Sequence, residues 1–195
     1  MSTDSSTQEL IKAIRARLLA ESSPEASKSA DYFIPGIQKQ YGVRMPVLNE
    51  MAVSFKAGGF PLADALWREG SQEEQLLAAR IIGKLGRKDP AAVLERLERY
   101  SAEINNWAVC DALGMQSIHG IREKHQVEIF ALAYSLALSE NFWQRRLALV
   151  LVEWYTRHKH LVPEIEVLLS SLENDEAYYV QKAVSWIKRN LSKKK

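Results

Sequence analysis

The sequence predicts an all-α chain built of stacked antiparallel helix pairs, and three observations predict it. Apolar residues recur at three- and four-residue spacing in segment after segment, with no period-two stretch that reads as a strand. Short Gly, Pro, Asn and Ser clusters interrupt these segments at helix-length intervals. A degenerate repeat also runs through the chain. Asn106-Trp107, Phe142-Trp143 and Tyr178-Tyr179 recur at 36-residue steps, and Gln75, Gln144 and Gln181 precede LLAARIIGKL, RRLALVLVEW and KAVSWIKRNL. Two helices per period in the high thirties is the signature of a HEAT-like array. The expected architecture is therefore a right-handed solenoid of HEAT-like helix pairs with a concave groove. It forms a single domain over residues 1–195, with a short basic tail at 192–195.

Each helix has its punctuation. Ser6 with Glu9 forms a capping-box pattern opening a helix through about residue 20. Pro24 suits the first turn of a second helix. Pro35-Gly36 and Tyr41-Gly42 flank a further short element. Pro46 opens the next helix, which Gly58-Gly59 and Pro61 are expected to close. Residues 72–86 make an amphipathic helix ending near Gly86, and Asp89-Pro90 starts AAVLERLERY. The run RLERYSAE reads as a solvated helix face.

Composition narrows the setting. With 47% hydrophobic and 26% charged residues, the chain has the make-up of an ordinary globular protein. No run approaches the roughly 20 apolar residues of a membrane span. The polar start MSTDSSTQEL lacks the order of a signal peptide. Cys110 is the only cysteine, so a reducing, cytoplasmic setting is expected. Residues 51–140 hold ten basic against twelve acidic residues, and residues 141–195 ten against six. The basic C-terminal end points to an anionic partner, although a solvated tail explains the last lysines as well.

Helical wheels show which faces the core leaves spare. In the last helix Val180, Val184, Ile187 and Leu191 form the buried stripe, with Tyr179, Lys182, Trp186 and Arg189 opposite. In NNWAVCDALG, Val109, Ala112 and Leu113 define the core side, and Trp107, Asp111 and Gly114 share the other. Gly114 there leaves room for a ligand backbone. Two readings stand: the Trp107–Asp111 pair faces the groove, or Trp107 fills a second helix interface and Asp111 pairs with a neighbour. In NFWQRRLALVLVEWY both tryptophans read as core, Arg146 sits at a face margin from which it reaches a groove, and Arg145 reads as an ordinary surface cation. His158 and His160 alternate in a loop without further ligands, so no metal site is expected.

Aromatic rings and cations on one face suit a nucleic-acid backbone. The carboxylate is the anomaly, since phosphates repel it. It makes sense where positive charge develops, as on a deoxyribose whose C1′–N bond is breaking. A water activated by the same group then attacks C1′.

These motifs resemble the AlkD-type DNA alkylation repair proteins, HEAT-like bacterial DNA glycosylases. The match lies in WAVCD (Trp107, Asp111), FWQRRLAL (Arg146) and YVQKAVSWIKR (Lys182, Trp186, Arg189), and runs from about Tyr32 to the C-terminus. The resemblance implies excision of cationic N3- and N7-alkylated purines from duplex DNA, without a cofactor and as a monomer. Asp111 would be the catalytic carboxylate, Trp107 and Trp186 would flank the lesion's sugar, and Arg146 would hold a phosphate, with Tyr179, Lys182 and Arg189 on the DNA-facing side. Within YGVRMPVL, Arg44 stands where the family often carries a Gln, and two readings apply: a further backbone contact, or a solvated cation. Two alternatives remain: a non-catalytic binder of damaged or branched DNA, and a protein-interaction solenoid.

Overall fold

A computed structural model describes residues 5–193; the last two lysines of the basic tail, Lys194 and Lys195, lie outside them. Eleven α-helices follow one another, with no strand among the described residues. They are α1 (Ser5–Ala20), α2 (Pro24–Phe33), α3 (Met45–Phe55), α4 (Gly59–Glu69), α5 (Gln72–Leu85) and α6 (Pro90–Ser101), then α7 (Trp107–Gln116), α8 (Gln126–Ala137), α9 (Phe142–Val152), α10 (Val162–Leu172) and α11 (Tyr178–Ser192). Short 3-10 turns extend α3, α7 and α9 at residues 56–58, 117–120 and 153–157.

Local chemistry explains most helix starts. The Ser23, Asp89, Asn106 and Asn141 side chains each accept a backbone N–H from the first turn that follows. Ser71 and Glu74 form a reciprocal capping box at the start of α5. Ser6, expected to cap α1, lies instead inside its first turn.

Two expectations need correction here. Residues 34–44 contain no helix. The buried Glu73 carboxylate accepts the N–H groups of Tyr41, Gly42 and Val43, so these amides are fixed by a side chain from α5. Gly58-Gly59-Pro61 does not merely close α3; it opens α4. Gly59, at φ 66°, turns the chain, and Pro61 falls in a first turn whose amides have no helical partner.

Helices α3, α5, α7, α9 and α11 form one layer, each packed on the next. A second layer covers one side, with α4 on α5, α8 on α9 and α10 on α11, and α6 against both α7 and α8. Polar ties cross the first layer at about one repeat interval. Arg80 Nε donates to Asn49 at 2.9 Å, and the Ser117 hydroxyl donates to the Ala79 carbonyl at 3.3 Å, over separations of 31 and 38 residues. Glycines permit the close approach. A Cβ on Gly83 would lie 2.0 Å from the Gln116 carbonyl oxygen, and one on Gly114 would lie 2.6 Å from Val150 Cγ1. Gly114 therefore faces α9, not a ligand.

Other readings change with the tertiary partners. RLERYSAE is not simply solvated: Arg96, Arg99 and Tyr100 all converge on Asp64, and Tyr100 stacks on Trp67 at 4.3 Å. Arg145 is no ordinary surface cation. It clamps Asp175 through two hydrogen bonds of 2.5 and 3.2 Å and donates to the Ser139 and Glu140 carbonyls. Trp143 is buried as expected, whereas Trp154 is half-buried with the Arg122 guanidinium 4.4 Å over its ring.

Candidate functional site

Asn106 sets the register of α7 by capping the Val109 amide, which puts Trp107 in the first turn and Asp111 one turn later on the same face. Both are half-buried, between the core side of Val109 and Leu113 and the open side of the layer. The Trp107 indole N–H donates to the Phe33 carbonyl at 3.0 Å, tying the end of α2 to the start of α7. The ring borders a hollow of about 580 Å³ that Phe33, Arg44 and Met45 also line. Arg44 is 72% exposed there and follows the loop held by Glu73, so a buried carboxylate fixes the rim that presents this cation.

Arg146 is the main departure from expectation. It was placed at a groove margin to hold a phosphate, yet its side chain is only 7% exposed and its donors are already engaged. Nε and Nη2 reach Asp111 Oδ1 at 3.0 and 2.8 Å, Nη2 reaches Oδ2 at 3.0 Å, and Nη1 donates to the Tyr179 carbonyl at 2.7 Å. The guanidinium thus joins α7, α9 and α11 from inside the layer. Its donors are committed to Asp111 and the Tyr179 carbonyl, away from a phosphate.

Asp111 keeps 21% of its side chain exposed. Burial raises its carboxyl pKa above the ordinary value of 3.8, and the adjacent Arg146 charge and hydrogen bonds pull it back. A carboxylate offers about four acceptor positions. Three contacts come from Arg146, and only one of them falls on Oδ2. Oδ2 therefore carries fewer protein contacts than Oδ1. Burial and the Asp111 charge push the neighbouring Cys110 thiol well up, and Sγ lies 3.7 Å from the Trp143 carbonyl as a weak donor.

On α11, Tyr179 contributes its carbonyl to Arg146, and its ring stacks on Trp143 at 4.9 Å, so it is a half-buried anchor more than an outward-facing ring. Lys182 and Arg189 are exposed, and Trp186 is half-buried on the same side, opposite the buried Val180, Val184 and Ile187. Seven residues of α-helix put Trp186 about 10 Å beyond Tyr179 along the axis. Tyr178, which sequence reasoning did not single out, is 64% exposed with Lys182 Nζ 5.1 Å from its ring centre. Its doublet with Tyr179 was the available signal. The structure therefore unites Trp107, Asp111, Arg146 and Tyr179, with Lys182, Trp186 and Arg189 further along α11 and Arg44 beside Trp107.

The helical stack thus holds one partly exposed carboxylate against a guanidinium, with Trp107 one turn away on the same helix. The comparison with known families gives the class of protein. Residues 14–195 match the DNA alkylation repair enzyme family, and the chain belongs to it, in line with the AlkD-type resemblance of its motifs. Its role is thus that of a DNA alkylation repair enzyme, with DNA as partner. Among curated proteins no relative matches the chain. No helix among the described residues is long and apolar enough to cross a membrane.

Proposed function

We propose that the protein is a monofunctional glycosylase that excises cationic N3- and N7-alkylated purines from duplex DNA. It acts as a monomer from the open face of a HEAT-like solenoid. The observation that carries this reading is the Asp111 carboxylate, aimed by Arg146 and still open on one side.

Heterolysis of the C1′–N9 bond sends its electron pair to the purine, which leaves as a neutral base, so the leaving group needs no general acid. The positive charge passes to the deoxyribose. Asp111 stabilises that oxocarbenium-like sugar and accepts the proton of the water that adds to C1′. Arg146 cancels part of the carboxylate's charge, but it also keeps the buried group ionised and fixes its orientation. Preorganised direction therefore matters more here than bare charge. Trp107 and Trp186 would border the sugar, while Arg44, Lys182 and Arg189 would meet phosphates.

The Asp111–Arg146 pair also favours a second reading, a non-catalytic binder of damaged or branched DNA, because a neutralised carboxylate no longer repels a phosphodiester. Incubation of the wild-type protein with N-methylated duplex separates the two. Release of 7-methylguanine or 3-methyladenine is expected, and retention of the duplex without any free base at high enzyme concentration would replace the first reading by the second.

A further inference from the structure

Two turns beyond Asp111, past the C-terminal end of α7, the charge pattern reverses. His119 lies in the 3-10 turn at 117–120 that prolongs this helix. At 1.5 Å per α-helical residue and about 2.0 Å per 3-10 residue, it stands roughly 13 Å from Asp111 along the axis. It borders three neighbouring hollows. One includes Asn49, Arg80, Lys84 and Gln116, reaching toward α3; another includes Met115, Val150, Trp154 and Arg157, reaching toward α9. The third, of about 300 Å³, is lined by Arg87, His119, Arg122, Lys124, His125 and a single carboxylate, Glu123, with small backbone walls at Gly86 and Gly120.

His125 in this third hollow meets Glu128 at 3.1 Å, but the hollow's arginines and lysine lack carboxylate partners. Among the described residues, eight arginines reach a carboxylate within 4.0 Å. Arg87, Arg122 and Lys124 are in no such pair. Arg122 packs its guanidinium on Trp154, yet its Nε is buried and has no hydrogen-bond acceptor. Burial and the charges of Arg122, Lys84 and Arg87 push the His119 imidazole pKa down, against the pull of Glu123. The end of α5 favours nearby cations through its carbonyl dipoles, which accounts for Lys84 and Arg87. It does not account for Arg122 and Lys124, which belong to the next turn of chain and line the same hollow.

We propose that this hollow is a phosphate site that holds a backbone phosphate of the duplex away from the lesion, setting the register of the DNA on the open face without reading bases. The inference rests on DNA being the ligand of that face. The Arg87 guanidinium and the Lys124 ammonium, both exposed, supply the donors, and the anion eases the repulsion among the cations.

The test uses the double variant Arg87→Gln/Lys124→Gln, two exposed positions, and leaves Arg122 on its ring. Binding to unmodified duplex is followed by fluorescence anisotropy between 50 and 200 mM salt, with Arg68→Gln on α4 as control. Each neutralised phosphate contributes about 0.9 to the slope of log K against log salt. The double variant should be shallower than wild type by about 0.9, and the control should match wild type. Titration with inorganic phosphate alone identifies the source. Phosphate binding that the double variant abolishes, with an unchanged DNA slope, would overturn the proposal in favour of a free-phosphate site. An equal slope in all three proteins, with excision intact, would overturn it and leave the functional reading standing. No salt-dependent DNA binding by wild type would remove both.

Discussion

Within α7, Asp111 meets a guanidinium on both carboxylate oxygens; beyond the end of that helix, around His119, Arg87, Arg122 and Lys124 form no ion pair and share their hollow with one carboxylate, Glu123. The first arrangement is self-contained. Its charges cancel, its geometry is fixed from three helices, and it does little to draw a ligand from a distance. The second is the opposite, a set of like charges that a single carboxylate, Glu123, only partly offsets. The difference teaches what each arrangement suits: paired charge fixes the direction of a group, and unpaired charge leaves donors for an anion.

The comparison can be broken first at its paired end. Arg146→Ala strands Asp111 in a largely buried position and removes the tie to Tyr179. It should cost about 3 kcal/mol, the low end for a broken buried pair because Asp111 keeps one open side. For a domain of this size that is a fall of roughly 6–12 °C in Tm, read by calorimetry. A drop below about 2 °C would mean the pair is dispensable. Gly83→Ala comes next. The new methyl group meets the Gln116 carbonyl, so α5 and α7 must separate beneath His119. A loss of about 2 kcal/mol is expected, with weaker DNA binding and the Asp111–Arg146 pair intact.

The pH response follows from the raised pKa of Asp111. The group must be ionised to act, so the acid limb of single-turnover excision should have its midpoint above 3.8. The sign for stability is opposite. Between the unfolded and folded pKa values the native state binds more protons, so this residue's contribution to stability falls as pH rises through that window. Activity and stability should therefore diverge there, and Asp111→Asn should remove that component of the stability profile. The smallest effect belongs to the unpaired end. Arg87→Gln breaks no ion pair, and its stability change should stay within about 0.5 kcal/mol, or be slightly positive as repulsion eases.

How much of this could be read from residues alone depended on how local the cause was. Starts such as those at Pro24 and Asp89-Pro90 were readable because proline and cap chemistry act within the first turn. The opening of α4 was not, since Gly58-Gly59-Pro61 is as good a stop as a start. Helical phase placed Trp107 and Asp111 together on the side away from Val109 and Leu113. It could not say that Arg146, 35 residues away, would occupy the carboxylate, or that Val150 would fill the space over Gly114. The basic hollow was hidden for a different reason. Its residues lie in a stretch whose charge balance is slightly acidic, and folding segregates the signs by sending Asp64, Glu73 and Glu74 to other partners.

The central claim is that an ionised, aimed carboxylate at position 111 drives base loss. Single-turnover excision of 7-methylguanine by Asp111→Asn, with duplex affinity measured on the same samples, tests it most directly. The expected result is a rate about 10²- to 10³-fold below wild type with affinity equal or tighter. An Asn variant that releases the base at the wild-type rate would contradict the account.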